Sequence, residues 1–326
     1  MVRFFISILC LSWPLTGQPG APPAVVGAGY TSPTAIIVAP GQVISFFVQG
    51  IGANLTKRVI AASMPWPTSL AGISATFSQV VTSPLPILAV QPINGCFDTT
   101  QAGCTSRYVA VTVQIPYRIG VVNPSSAALT LNPPGHVVFS ENSSIAASVD
   151  VIPYVDQVHI LRQCDLPMGP DYGFCSPQLP GFQAIAHADG KRVSYSNPAK
   201  AGEHLIVYAS GLGYVSNADS YLAIGYVPDK PEPTAIGIRV SFDPRPNALA
   251  SRPAKNDPNT VDPEFAGLIP GFIGLYQINV VVPPLPEGSP RCTPDEFYNR
   301  VLTNLTINII GITSVDGAGI CVDPAQ

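Results

Sequence analysis

Four histidines, His136, His159, His187 and His204, are the only imidazoles in 326 residues, and no two stand at H-x-x-x-H spacing. A zinc hydrolase presents two such histidines on one helix face with a glutamate beside them, so that chemistry has no visible ligand set. His204 falls in a predicted strand and His187 beside a turn, which fits surface or partly packed rings. A serine hydrolase carries its nucleophile in G-x-S-x-G; Ser210 in "YASGLG" comes near this and lacks the first glycine. Gly50-Ile51-Gly52 and Gly211-Leu212-Gly213 have no third glycine and no helix-forming stretch behind them, so they do not describe a phosphate loop. Glycoside hydrolysis needs two carboxylates ~5–9.5 Å apart. Any chain with 20 acidic residues contains such pairs, so the requirement selects nothing. Asp257, Asp262 and Glu264 cluster in a Pro-rich stretch and suit a solvated loop or a Ca²⁺ site, although EF-hand spacing is lacking. The chain is expected to be no enzyme and to hold no cofactor.

The cysteines and one tryptophan are better candidates for a structural or binding role. Apart from Cys10, six cysteines remain: Cys96, Cys104, Cys164, Cys175, Cys292 and Cys321. They allow fifteen connectivities, of which the simplest joins sequence neighbours as Cys96–Cys104, Cys164–Cys175 and Cys292–Cys321. Zinc competes as a reading, but no pair has C-x-x-C spacing, and of the histidines only His159 lies within five residues of a cysteine. Trp66 stands between Pro65 and Pro67 in "MPWPTSL". Rings on both sides restrict the backbone, and an exposed indole there would suit sugar stacking or a protein contact. Alternatively, Trp66 caps a core.

The elements that must position these residues read as β-structure. Charged residues are 11% of the chain, while 36 prolines and 28 glycines punctuate segments rich in Val, Ile and Thr. That composition favours short strands joined by tight turns over long helices. A net charge of −4 without a basic run excludes a phosphate-backbone partner, so no nucleic acid is expected. Three blocks recur in order. "GQVISFFVQGIG" from Gly41 returns as "GEHLIVYASGLG" from Gly202, "GISATF" from Gly72 as "GIRVSF" from Gly237, and "VAVTVQIP" from Val109 as "YQINVVVP" from Tyr276. A repeat this long marks a duplicated domain rather than a solenoid unit. Val109, Val111, Val113 and Ile115 alternate with smaller or polar residues, and Pro116 and Pro283 end their strands. Asp189-Gly190 predicts a hairpin turn.

The expected fold is all-β, two tandem immunoglobulin-like β-sandwiches related by internal duplication. Their bounds are 22–152 and 183–326. A Cys-closed connector covers 153–182, and a long Pro-rich surface loop covers 244–265. Residues 1–17 read as a signal peptide: Arg3 precedes an apolar stretch too short to span a bilayer, with a small-residue exit at Gly17. A short buried strand is the alternative for that segment. No later stretch is apolar enough to cross a membrane as a helix.

"NPAKAGEHLIVYASGLG" (Asn197 to Gly213), "AGLIPGFIGLYQINVVVP" (Ala266 to Pro283) and "APGQVISFFVQGIG" (Ala39 to Gly52) resemble the Solibacter-type uncharacterised C-terminal domain family of acidobacterial secreted proteins. The glycine phrase is also similar to the first strand of IPT/TIG immunoglobulin-like domains. The chain departs from the family pattern at Val109, where tyrosine is usual, and in its cysteine-bearing loops. The resemblance implies a secreted or surface-exposed pair of immunoglobulin-like domains and brings no catalytic residue. Three functions follow as expectations: an adhesion, surface-assembly or protein-interaction module with an extracellular protein or glycan as partner; a carbohydrate-binding module using Trp66; or an enzyme of unrecognised type.

Overall fold

A computed structural model describes residues 23–29, 36–94, 107–121, 134–162, 165, 185–217, 224–245, 250, 257–292, 303–309 and 315–324. The proposed signal peptide at 1–17 and Cys96, Cys104, Cys164 and Cys175 lie outside the described residues. Among those described there is no α-helix, and the chain is all-β.

In the N-terminal half, one sheet has the order β1 (Ala24–Ala28), β3 (Val43–Gln49), β9 (Arg107–Gln114), β8 (Ile87–Asn94) and β4 (Val59–Ile60). The other runs β2 (Ile36–Val38), β11 (Ser144–Pro153), β10 (Gly135–Glu141), β6 (Ile73–Ser78) and β5 (Ser69–Leu70), with β7 (Thr82–Pro84) also paired to β6. Alternation puts Ile44, Phe46 and Val48 of one sheet and Ile73, Phe77, Val137 and Phe139 of the other into one shared core. Phe46 and Phe139 meet across it with ring centroids 5.3 Å apart. Fully burying each such side chain stabilises the fold by roughly 1.5–3 kcal/mol. The parallel pair β2–β11, the four-strand run β1-β3-β9-β8 and the facing run β11-β10-β6 make this an immunoglobulin-like sandwich.

The C-terminal half repeats the strand order. Its first sheet runs β12 (His159–Ile160), β15 (His204–Ser210), β20 (Tyr276–Val281), β19 (Phe265–Leu268) and β16 (Glu232–Pro233), with β13 (Ile185–His187) on the same edge as β12. The facing strands are β18 (Thr260–Val261), β17 (Ile238–Asp243), β21 (Thr303–Ile309) and β22 (Val315–Ile320). The parallel pair β14 (Ala199–Lys200) and β23 (Val322–Asp323) lies beyond them. A second core gathers Leu205, Val207, Ile278 and Val280 against Val240, Phe242, Leu305 and Ile307.

The repeated sequence blocks occupy equivalent strands in equivalent register. Val43 faces Gln114 in one half, and His204 faces Val281 in the other. "GISATF" and "GIRVSF" supply β6 and β17, each bonded to the strand that forms the next hairpin. Asp189-Gly190 turns as predicted: His187 N donates to Lys191 O at 2.8 Å, and Gly190 N to His187 O at 2.9 Å.

Two stretches carry strands that the sequence reading did not place. The stretch 153–182, read as connector, contributes buried Val155, Asp156, Val158, Ile160 and Leu161, and its His159–Ile160 pairs with β15 as a strand. Prolines, glycines and cysteines further along made the whole stretch look like an excursion, although its first residues are apolar enough to enter the sheet. The Pro-rich stretch 244–265 likewise contains β18, where Thr260 and Val261 pair with Ser241 and Val240.

Candidate functional site

The two halves meet along a seam built from ends of strands. After β9, Pro116 stops the ladder and Tyr117 turns out of its own sandwich into the second core, where it is 2% exposed. Its ring lies so closely over Gly41 that a Cβ there would be 2.1 Å from Tyr117 Cε1. Gly41 has φ +69°, so the turn before β3 needs glycine both for its conformation and for this contact. Burial pushes the Tyr117 phenol pKa well up, and the neighbouring Tyr276, Glu232 and Tyr226 act in the same direction. The segment after Tyr117 is held by Gln79, whose side-chain amide exchanges two 2.8 Å hydrogen bonds with Gly120 N and O.

Buried amides complete the seam. Gln42, 1% exposed, accepts Ala39 N at 2.9 Å through Oε1 and reaches Gln157 O at 3.5 Å through Nε2. Gln114 Oε1 accepts Gly225 N at 2.9 Å, and Tyr214 Oη donates to Ile119 O at 2.9 Å. The directionality of these bonds fixes one orientation, and burial is costly where a group goes unpaired, as at Gln114 Nε2. Gly211 closes the second half's glycine phrase onto Gln157, whose N donates to Gly211 O at 2.8 Å. A Cβ at Gly211 would sit 2.0 Å from Gln157 O.

Trp66 stands at one edge of this seam. It is half-buried and belongs to neither core cluster. Its neighbour Pro65 is in the cis form and, with Pro86, lies beside Gly225 of the other half. Met64 and Ile224, 47% and 41% exposed, flank that contact. Trp66 is thus the chain neighbour of a proline that meets the second half at Gly225.

The remaining candidates separate. Cys292 and Cys321 form a disulfide with Cα atoms 5.4 Å apart, tying the loop after β20 to the start of β23. Asp257 accepts Asn259 N, Asp262 pairs with Arg239 at 3.1 Å, and Glu264 pairs with His204 at 3.0 Å, so the three acids do not converge. Among the described residues, no group of three or more His, Cys, Asp and Glu side chains is arranged to hold a metal ion. Ser210 is 2% exposed, and its hydroxyl has no hydrogen-bond partner.

Each histidine pairs with a carboxylate, which sequence spacing did not reveal. His136 meets Asp150 at 2.8 Å across the β10–β11 hairpin. His187 is buried rather than superficial, with Glu203 on Nδ1 and Asn197 O 3.1 Å from Nε2. His159 sits between Asp165 and Asp316. Strand periodicity flags partners two residues apart, whereas Asp316 is 156 residues from the Ile160 amide that it also binds.

No family model matches the chain, and no curated protein does. Among solved structures, it is similar to a chimeric titin Z1Z2–Z1Z2 tandem functionalized with a GRGDS exogenous peptide from fibronectin. Identity is 9% over 89% of this chain and 95% of that one, with a TM-score of 0.17.

Proposed function

We propose that the chain is a non-catalytic, extracytoplasmic interaction module in which two immunoglobulin-like units, related by duplication, are held at one angle for adhesion, surface assembly or protein binding. The resemblance to the Solibacter-type family points the same way. The seam carries this reading. A tyrosine from one sandwich buried in the other's core, with buried amides around it, is a costly arrangement unless relative orientation matters. The Cys292–Cys321 disulfide supports an oxidising compartment. Among the described residues, no helix is long and apolar enough to cross a membrane.

Carbohydrate binding is the second reading, favoured by the half-buried Trp66 beside exposed Met64. Purified chain is applied to a glycan array and to fractionated envelope proteins, with a broad hydrolase screen alongside. Retention on a protein fraction supports the first reading. Glycan retention that Trp66→Ala abolishes at unchanged melting temperature supports the second. Turnover in the screen sinks both.

A further inference from the structure

His159 is 7% exposed at its side chain and lies between two carboxylates. Nε2 is 2.9 Å from Asp165 Oδ2, and Nδ1 is 3.1 Å from Asp316 Oδ2. Both acceptor oxygens are already engaged by the backbone. Arg162 N donates to Asp165 Oδ2 at 2.7 Å, and Ile160 N to Asp316 Oδ2 at 2.7 Å. A carboxylate has only lone pairs to offer, so a ring nitrogen that bonds to each of these oxygens does so by donating. A neutral imidazole has one N–H and satisfies one side only. The geometry calls for imidazolium.

The position matters as much as the charge. His159 opens β12, an edge strand of the second half's first sheet, two residues after Gln157 at the seam. Asp316 belongs to β22 in the facing sheet, so the ring joins the two layers of the sandwich where the chain enters it. From β15 the residue opposite His159 is the uncharged Ser210. On its own segment the charged neighbours are Asp156, Arg162 and Asp165.

We propose that His159 is an alkaline-release clasp, which in its charged form pins β12 to β22 and thereby steadies the seam at Gln157. Burial alone would push its pKa down. The hydrogen bonds and charges of Asp165 and Asp316 outweigh burial and hold it above the ordinary 6.5. A raised folded value means that the clasp's contribution is complete below pH ~6.5 and is lost as pH rises through the folded pKa.

The full chain, labelled at histidine nitrogens, is titrated by NMR while amide exchange at Ile160 and Arg162 is followed and corrected for intrinsic base catalysis. His159 is expected to carry two ring protons at pH 6. Protection of both amides should fall at least tenfold as the ring titrates. Asp316→Asn should move that release to lower pH, and His159→Gln should make protection independent of pH. A singly protonated ring at pH 6, protection that ignores its titration, or a release unmoved by Asp316→Asn overturns the clasp. The first two readouts use unaltered protein, so a variant that fails to fold does not decide the matter.

Discussion

The two halves share a strand order and a register, yet they expose different surfaces. Gly41 and Gly202 open the same turn with φ of +69° and +80°, but Tyr117 covers the first, while a Cβ at the second would meet nothing within 4 Å. By the register of the repeat, Pro284 stands where Tyr117 does in the first half. The outer sheet faces diverge too. Thr76 on β6 is half-buried, while its equivalent on β17, Ser241, is 6% exposed. The two halves keep in common what the ladder and core require and differ at the strand ends. The seam is used once, by one copy's tail on the other copy's head. A fold repeated in this way says little about function until the unequal positions are compared.

Five substitutions and one reduction probe that inequality. Tyr117→Ala has the largest expected effect. It empties a site in the second core and should cost about 3–5 kcal/mol by denaturant unfolding, whereas Pro284→Ala should cost far less. Equal losses would mean that the seam is not special. Reducing Cys292–Cys321 comes next, because this 29-residue separation lies only in the second half. The chain-entropy relation gives about 3.5 kcal/mol, and hydrogen exchange in β3 and β10 should stay as it was.

The two turn glycines give the most direct contrast. Gly202→Ala should cost about 1–2 kcal/mol from its left-handed backbone alone. Gly41→Ala carries that strain and also drives its methyl into the Tyr117 ring, adding roughly 1–3 kcal/mol. Melting curves that rank the two alike would break the comparison. The smallest effect belongs to Tyr276→Phe. Tyr276 Oη donates to Gly213 O, and Val109, its equivalent, instead packs its methyl against Gly52. Losing that hydrogen bond should cost about 1 kcal/mol, leaving the first half untouched in amide exchange.

Strands were legible in the sequence because their determinants are local. Alternation in Val109–Ile115, prolines at 116 and 283 and the repeated blocks place β3, β6, β9, β15, β17 and β20 without tertiary information. The repeat also carried the registers, since the strands that pair are the strands that recur. The seam was not legible. Tyr117 is an ordinary residue behind a strand-ending proline, and nothing local says that it leaves its own sandwich. The His159 pairs were hidden for a similar reason: Asp316 approaches through a sheet-to-sheet contact with no sequence period. Trp66 stood out by composition and flanking prolines, but only the fold sets Met64 and Ile224 beside the same contact.

The parallel pairing of β2 with β11 has a mechanical consequence. Ile36, Ile37 and Val38 lie alongside Val151, Ile152 and Pro153, and the chain passes from β11 directly into the second half. Tension applied along the chain pulls β2 toward its N-terminal end and β11 toward its C-terminal end. Strands running the same way then slide past one another, so their hydrogen bonds bear load together instead of peeling open one at a time. The second half ends on the same device, with Ala199 and Lys200 beside Val322 and Asp323. A pull from the C-terminal side therefore meets a shear-loaded strand pair first, whereas one from the N-terminal side must first release β1 from its antiparallel partner β3.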